Sequence, residues 1–158
     1  MTKLFRHSER GFTVAELITV VVIIGMLSAL ALPVARYGFK RQKEIELRLR
    51  LRKMTDAIDR YADLRRRNLI KDPPNLTQGE YPKDLDELVE GVELLDGKKV
   101  KFIRQRDLID PMTGQEGWDT RSNSDDFDSI STDGNNVFDV RSKSTAMSLD
   151  GKTRYNEW

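Results

Sequence analysis

The side chains able to do chemistry in this 158-residue chain are almost all carboxylates and cations. It has no cysteine, and its one histidine is His7. Beyond that position, zinc sites of ordinary composition, cysteine nucleophiles and histidine-based triads lack their ligands or their base. Acids crowd one polar, turn-rich stretch: Asp125, Asp126, Asp128, Asp133 and Asp139. Two acids at a set separation would serve a glycosidase. A general acid needs a raised pKa, however, and a solvated loop does not raise one. A solvated acidic surface is the plainer reading, and a membrane-tethered hydrolase the remote one. Glu16 is different. It is the only ionisable residue between Phe12 and Leu32. An unpaired carboxylate in hydrocarbon costs about 3 kcal/mol or more, so Glu16 needs a partner there, unless it snorkels or is protonated.

The element that carries Glu16 comes next. From Phe12 to Leu32 every other residue is apolar or small. A helix of that length spans about 30 Å, the hydrocarbon thickness of a bilayer. Residues 12–34 are therefore expected to be a transmembrane helix. Before it stands a short basic leader, M-T-K-L-F-R-H-S-E-R-G, ending at Gly11. A secretory signal would instead place its cleavage site after the apolar run. Orientation does not follow from charge: Lys3, Arg6 and Arg10 precede the span, and Arg36, Lys40, Arg41 and Lys43 follow it.

Residues 35–69 read as an amphipathic continuation. Leu47, Leu51, Met54, Ile58 and Tyr61 recur at steps of four and three and share one face. That stripe lasts only about two heptads, so packing against the chain's own sheet is favoured over a coiled-coil seam. Pro33 is expected to interrupt the helix and kink it. Residues 70–158 form the expected head. Asp72-Pro73-Pro74-Asn75 opens a linker, and a short helix is expected to start near Lys83 or Asp84, burying Leu85, Leu88 and Val89. A strand is expected from Lys98, with Val100, Phe102 and Ile103 as its apolar content, then a turn at Asp110-Pro111-Met112-Thr113-Gly114. Phe127–Ser131 and Val137–Arg141 read as a hairpin around Asp133-Gly134-Asn135-Asn136. The fold class is α+β: a long N-terminal helix, transmembrane then amphipathic, packed on a small C-terminal antiparallel sheet.

The register of leader, Gly11-Phe12, Thr13, Glu16-Leu17 and the apolar run Ile18–Leu32 resembles the type IV pilin and pseudopilin superfamily. The resemblance implies that a prepilin peptidase cuts between Gly11 and Phe12 and methylates the new amino terminus of Phe12. It also implies that Gly25 and Pro33 match the family helix's glycine and proline, with a role in assembly. Cleavage would remove Lys3, Arg6, Arg10 and Glu9, changing the formal charge from +1 to −1. Nothing in that balance suggests nucleic acid as a partner. The freed α-amine could then sit near Glu16 of a neighbouring subunit, a pairing that sets register more than it adds stability.

Within the superfamily, Tyr81-Pro82 before a leucine-rich helix, Asp110-Pro111 and the terminal Trp158 are similar to the major, G-type pseudopilin of type II secretion. Met112 stands where that family has tryptophan. The expected function is a structural subunit that polymerises into a short periplasmic filament and helps push folded proteins across the outer membrane. A type IV pilin or minor pilin is the alternative within the class. The implied partners are the prepilin peptidase, further copies of the chain, other pseudopilins, the inner-membrane secretion platform and membrane lipid. The implied location is a bacterial inner membrane, crossed once, with the head in the periplasm. G-type pseudopilins hold calcium near this end of the chain. Calcium takes six to eight oxygens, and here only Asp150 and Glu157 lie between Ser142 and Trp158, with Asp139 just before. Asp139 and Asp150 are weak candidates, and the metal stays unassigned.

Overall fold

The computed structural model describes residues 11–71, 79–126 and 132–158. The chain divides into two compact units, the first ending at Phe39 and the second running from Lys40 to Trp158.

The first unit is the start of helix α1, Val14–Arg66. Thr13 begins it. Its carbonyl accepts the Leu17 N–H at 3.1 Å, and its hydroxyl accepts the Glu16 N–H at 3.2 Å. That hydroxyl satisfies one of the helix's orphan donors, and Glu16 lies in the first turn, where the helix dipole favours a carboxylate. Residues 11–39 are all exposed. The helix is long and apolar enough to cross a membrane, and none of its apolar window is buried within the chain. Pro33 lies inside α1, which continues on both sides of it. A proline removes one N–H and crowds one carbonyl, a local loss that a 53-residue helix accommodates.

In the second unit, α1 buries Leu47, Met54, Ala57, Ile58, Tyr61 and Ala62. It ends in a Schellman motif with Asn68 at φ 52°. The Leu69 N–H reaches the Leu64 carbonyl at 3.0 Å, and the Asn68 N–H reaches that of Arg65 at 2.9 Å. Helix α2, Leu85–Glu90, is capped by Asp84, whose side chain accepts the Glu87 N–H. Leu88 is fully buried, and Leu85 and Val89 pack against the core. Gly91 closes α2 at φ 81°. A Cβ there would lie 2.4 Å from the Val100 carbonyl oxygen, so both the dihedral and the close approach demand glycine.

The strands are short. β1 (Val92–Glu93) pairs antiparallel with β2 (Lys99–Val100), and β3 (Asp119–Arg121) pairs antiparallel with β4 (Asp139–Arg141). The architecture is thus α+β, one long helix with two small antiparallel strand pairs. The strand expected from Lys98 stops at Val100, and a 3-10 helix, Gln105–Leu108, follows. Of the expected hairpin only the second arm falls among the described residues. Asp139–Arg141 pairs with Asp119–Arg121 across a long connection, and Phe127–Ser131 lies outside the described residues. Leu47, Ile58, Tyr61, Leu88, Trp118, Val140 and Tyr155 belong to one core cluster, so the amphipathic stripe does serve the head. Trp158, expected as a core anchor, is only partly buried and packs edge-on against Tyr155 at 5.3 Å. Tyr155 is the fully buried ring.

Candidate functional site

The residues that the sequence marks for processing and assembly lie in the first unit. Gly11 precedes α1, and Phe12 is 72% exposed. Glu16 sits one turn into the helix among Val14, Leu17 and Ile18, all exposed. Its backbone N–H goes to Thr13. T-x-x-E is therefore also a helix-start signal of the capping-box kind, a local role that sequence reading had passed over. Gly25 lies inside α1 with no atom of the chain within 4 Å of where a Cβ would stand. Pro33 is inside the helix as well.

The head's polar residues are used in three places. Asp110 is fully buried. Its side chain accepts the Ser142 hydroxyl at 2.7 Å, the Lys143 N–H at 3.2 Å and the Met112 N–H at 2.8 Å. It ties the turn after the 3-10 helix to the chain beyond β4. Next to it, Asp107 accepts from Lys53 of α1 and from the Arg104 N–H. Burial raises its pKa, but Lys53, the Arg104 N–H and nearby Arg106 outweigh that and hold it below the ordinary carboxylate value.

The third place is a stripe on α1. Lys40, Glu44 and Arg48 follow at steps of four, on one helix face. The Lys40 ammonium donates to the Met147 carbonyl at 2.7 Å. Glu44 accepts the Leu149 N–H at 2.6 Å and the Tyr155 hydroxyl at 2.8 Å. Arg48 lies 4.5 Å from the Trp158 ring centre. These contacts hold the segment after β4 on the helix. Burial first, then Glu44, push the Tyr155 phenol well above its usual value. None of Asp110, Glu44 and the Lys53–Asp107 pair was legible as a partner beforehand, because each contact joins residues far apart in the chain.

The acidic residues considered for chemistry are mostly held by donors nearby. Asp133 accepts from the Ser124 hydroxyl and from Asn135, which lowers its pKa to about 2. Asp125 takes the Ser122 and Asp133 N–H groups and is also lowered. Asp128 lies outside the described residues. The two weak metal candidates, Asp139 and Asp150, each have partners close by in sequence. Asp150 takes the Ser148 hydroxyl and the Lys152 N–H within its own turn. Asp139, on β4, leans towards Arg141 at 3.8 Å and pairs in register with Arg121. Among the described residues no three His, Cys, Asp or Glu side chains gather as a metal-ion set.

No family model, curated protein or solved structure matches this chain. A functional reading therefore rests on the chain's own features. Those are an exposed apolar helix with one carboxylate near its start, and a separate head tied to the same helix by its core and the polar contacts above.

Proposed function

We propose that the chain is a structural pseudopilin subunit of a type II protein secretion system. It would be anchored once in a bacterial inner membrane, with its head in the periplasm, and would polymerise into a short filament that helps drive folded proteins outwards. The observation that carries this reading is the lone Glu16 on an apolar helix, directly after Gly11-Phe12, with none of that apolar surface covered within the chain. Lipid and neighbouring helices of the same kind would cover it. In the assembled filament, the α-amine of Phe12 from one subunit would neutralise Glu16 of another in low dielectric.

Gly25 supports the same reading. Glycine in a helix costs about 1 kcal/mol relative to alanine, and nothing within this chain occupies the space that it leaves. A helix from a second subunit would use that space. The role is mechanical. Chemical energy for assembly comes from other components, and this chain contributes packing surfaces.

The test is mass spectrometry of the membrane-extracted protein. The expected product starts at Phe12 and carries one added methyl group. An intact leader in a host with an active prepilin peptidase overturns the reading. Glu16→Ala is expected to leave insertion and processing intact and to abolish filament assembly; normal filament yield would remove the pairing role.

A further inference from the structure

Lys53, Val89, Lys101, Phe102, Arg104 and Arg106 line a depression of about 800 Å³ on the head. Lys53 is taken up by Asp107. Lys101, Arg104 and Arg106 are exposed and make no ion pair among the described residues. Three like charges thus surround a partly apolar hollow, none of them in an ion pair among the described residues. Along α2 the sign reverses. Asp84, Asp86, Glu87 and Glu90, with Lys83, line a second, smaller depression. Asp86 and Glu90 stand at i and i+4, exposed, and neither is ion-paired among the described residues.

We propose that the basic depression of one copy receives the α2 carboxylates of a second copy, in a head-to-tail contact. The proposal rests on the subunit reading above and names the head surface that sets its register. Three exposed cations face a carboxylate-lined hollow, a match in sign. Phe102 and Val89 supply an apolar patch between the charges, which a neighbouring protein surface would desolvate and a small inorganic anion would leave wet. Copies anchored in one membrane share an orientation, so the basic side of one can meet the acidic side of the next. A contact between two different patches is heterologous, and it propagates as an open filament where its rotation does not close a ring. Complementary charges also penalise a slipped register, in which like charges would meet.

The absence of cysteine makes the test clean. Full-length protein in native membranes carries Lys83→Cys and Gln105→Cys together, which keeps the carboxylates and cations proposed to pair and removes only the Lys83 ammonium, and is treated with an oxidant or a short bis-maleimide. A separate variant, Leu27→Cys, reports association within the apolar helix. The expected result is Leu27 dimers together with a Lys83/Gln105 ladder extending beyond dimers. Arg104→Glu should reduce that ladder about tenfold or more, since like charges facing each other cost several kcal/mol. Adding Glu90→Arg should restore it. Leu27 dimers without a head ladder overturn the head contact and leave the subunit reading standing. Head cross-links that stop at dimers overturn the head-to-tail geometry. If neither pair cross-links, the polymerising-subunit reading falls as well.

Discussion

Replacing Asp110 by alanine removes the acceptor for three donors, the Ser142 hydroxyl and the Met112 and Lys143 N–H groups. Ser142 is fully buried, so its hydroxyl loses its acceptor where water does not reach. An orphaned buried donor costs about 1–3 kcal/mol. Met112 is half-buried and Lys143 exposed, so their N–H groups recover part of their loss from solvent. Together the change should cost about 3–5 kcal/mol. Asp110→Asn keeps the volume and one acceptor oxygen, and should cost about 1–2 kcal/mol by the same reasoning. For a domain of this size 1 kcal/mol moves Tm by about 3–6 °C, so the alanine variant should melt about 10–20 °C below the parent.

The assay is thermal and urea unfolding of a soluble fragment starting at Arg36, which contains the whole core cluster. Equal m-values would show that the change lies in stability and not in the extent of unfolding. An alanine variant within about 1 kcal/mol of the parent would refute the assignment of Asp110 as the tie between the two segments.

Three further outcomes are expected from the same fragment. Glu44→Ala strips the acceptor from Leu149 N–H and the Tyr155 hydroxyl; a loss of about 2–3 kcal/mol is expected, with faster hydrogen exchange in residues 147–158, and unchanged exchange there would contradict the stripe's role. Gly91→Ala forces a side chain into a positive-φ position against the Val100 carbonyl, and should cost about 2–4 kcal/mol in urea unfolding. Asp107 has a folded pKa below its unfolded value, so its contribution is present above about pH 4 and is lost as pH falls through the folded pKa. Lys53→Met should flatten the pH dependence of stability in that acid range, measured by urea midpoints from pH 6 downwards, and an unchanged slope would remove the Lys53–Asp107 link.

The helices were legible because their signals are local. Leu47, Met54, Ile58 and Tyr61 repeat at helical spacing, and all four are buried; Asp84 precedes a leucine-rich run and caps it. The strands were not. β3 reads Asp-Thr-Arg, with no apolar alternation: Thr120 stands opposite Val140, and the flanking charges pair along each strand, Arg121 with Asp119 and Arg141 with Asp139. The pairing of Asp139–Arg141 with Asp119–Arg121 joins segments on either side of a turn-rich stretch, a distance that local signals do not span. Asp110 looked like an ordinary turn residue, since burial depends on what folds over it. Glu44 looked like one more charge on a solvated face. In the first unit, Glu16 was conspicuous from composition alone, while its place in the first turn beside Thr13 emerged only with the helix boundary.

Tyr155 lies in the core, yet it is made long after the apolar span. At roughly 5–20 residues per second, about ten seconds separate the emergence of Pro33 from that of Tyr155. During that interval Leu47, Met54 and Ile58 have no complete cover, although the apolar span is already available to the insertion machinery. On the proposed reading membrane delivery would thus precede closure of the head, and a ribosome that stalls before Tyr155 would leave a chain already anchored but with its helix face bare to proteases and chaperones.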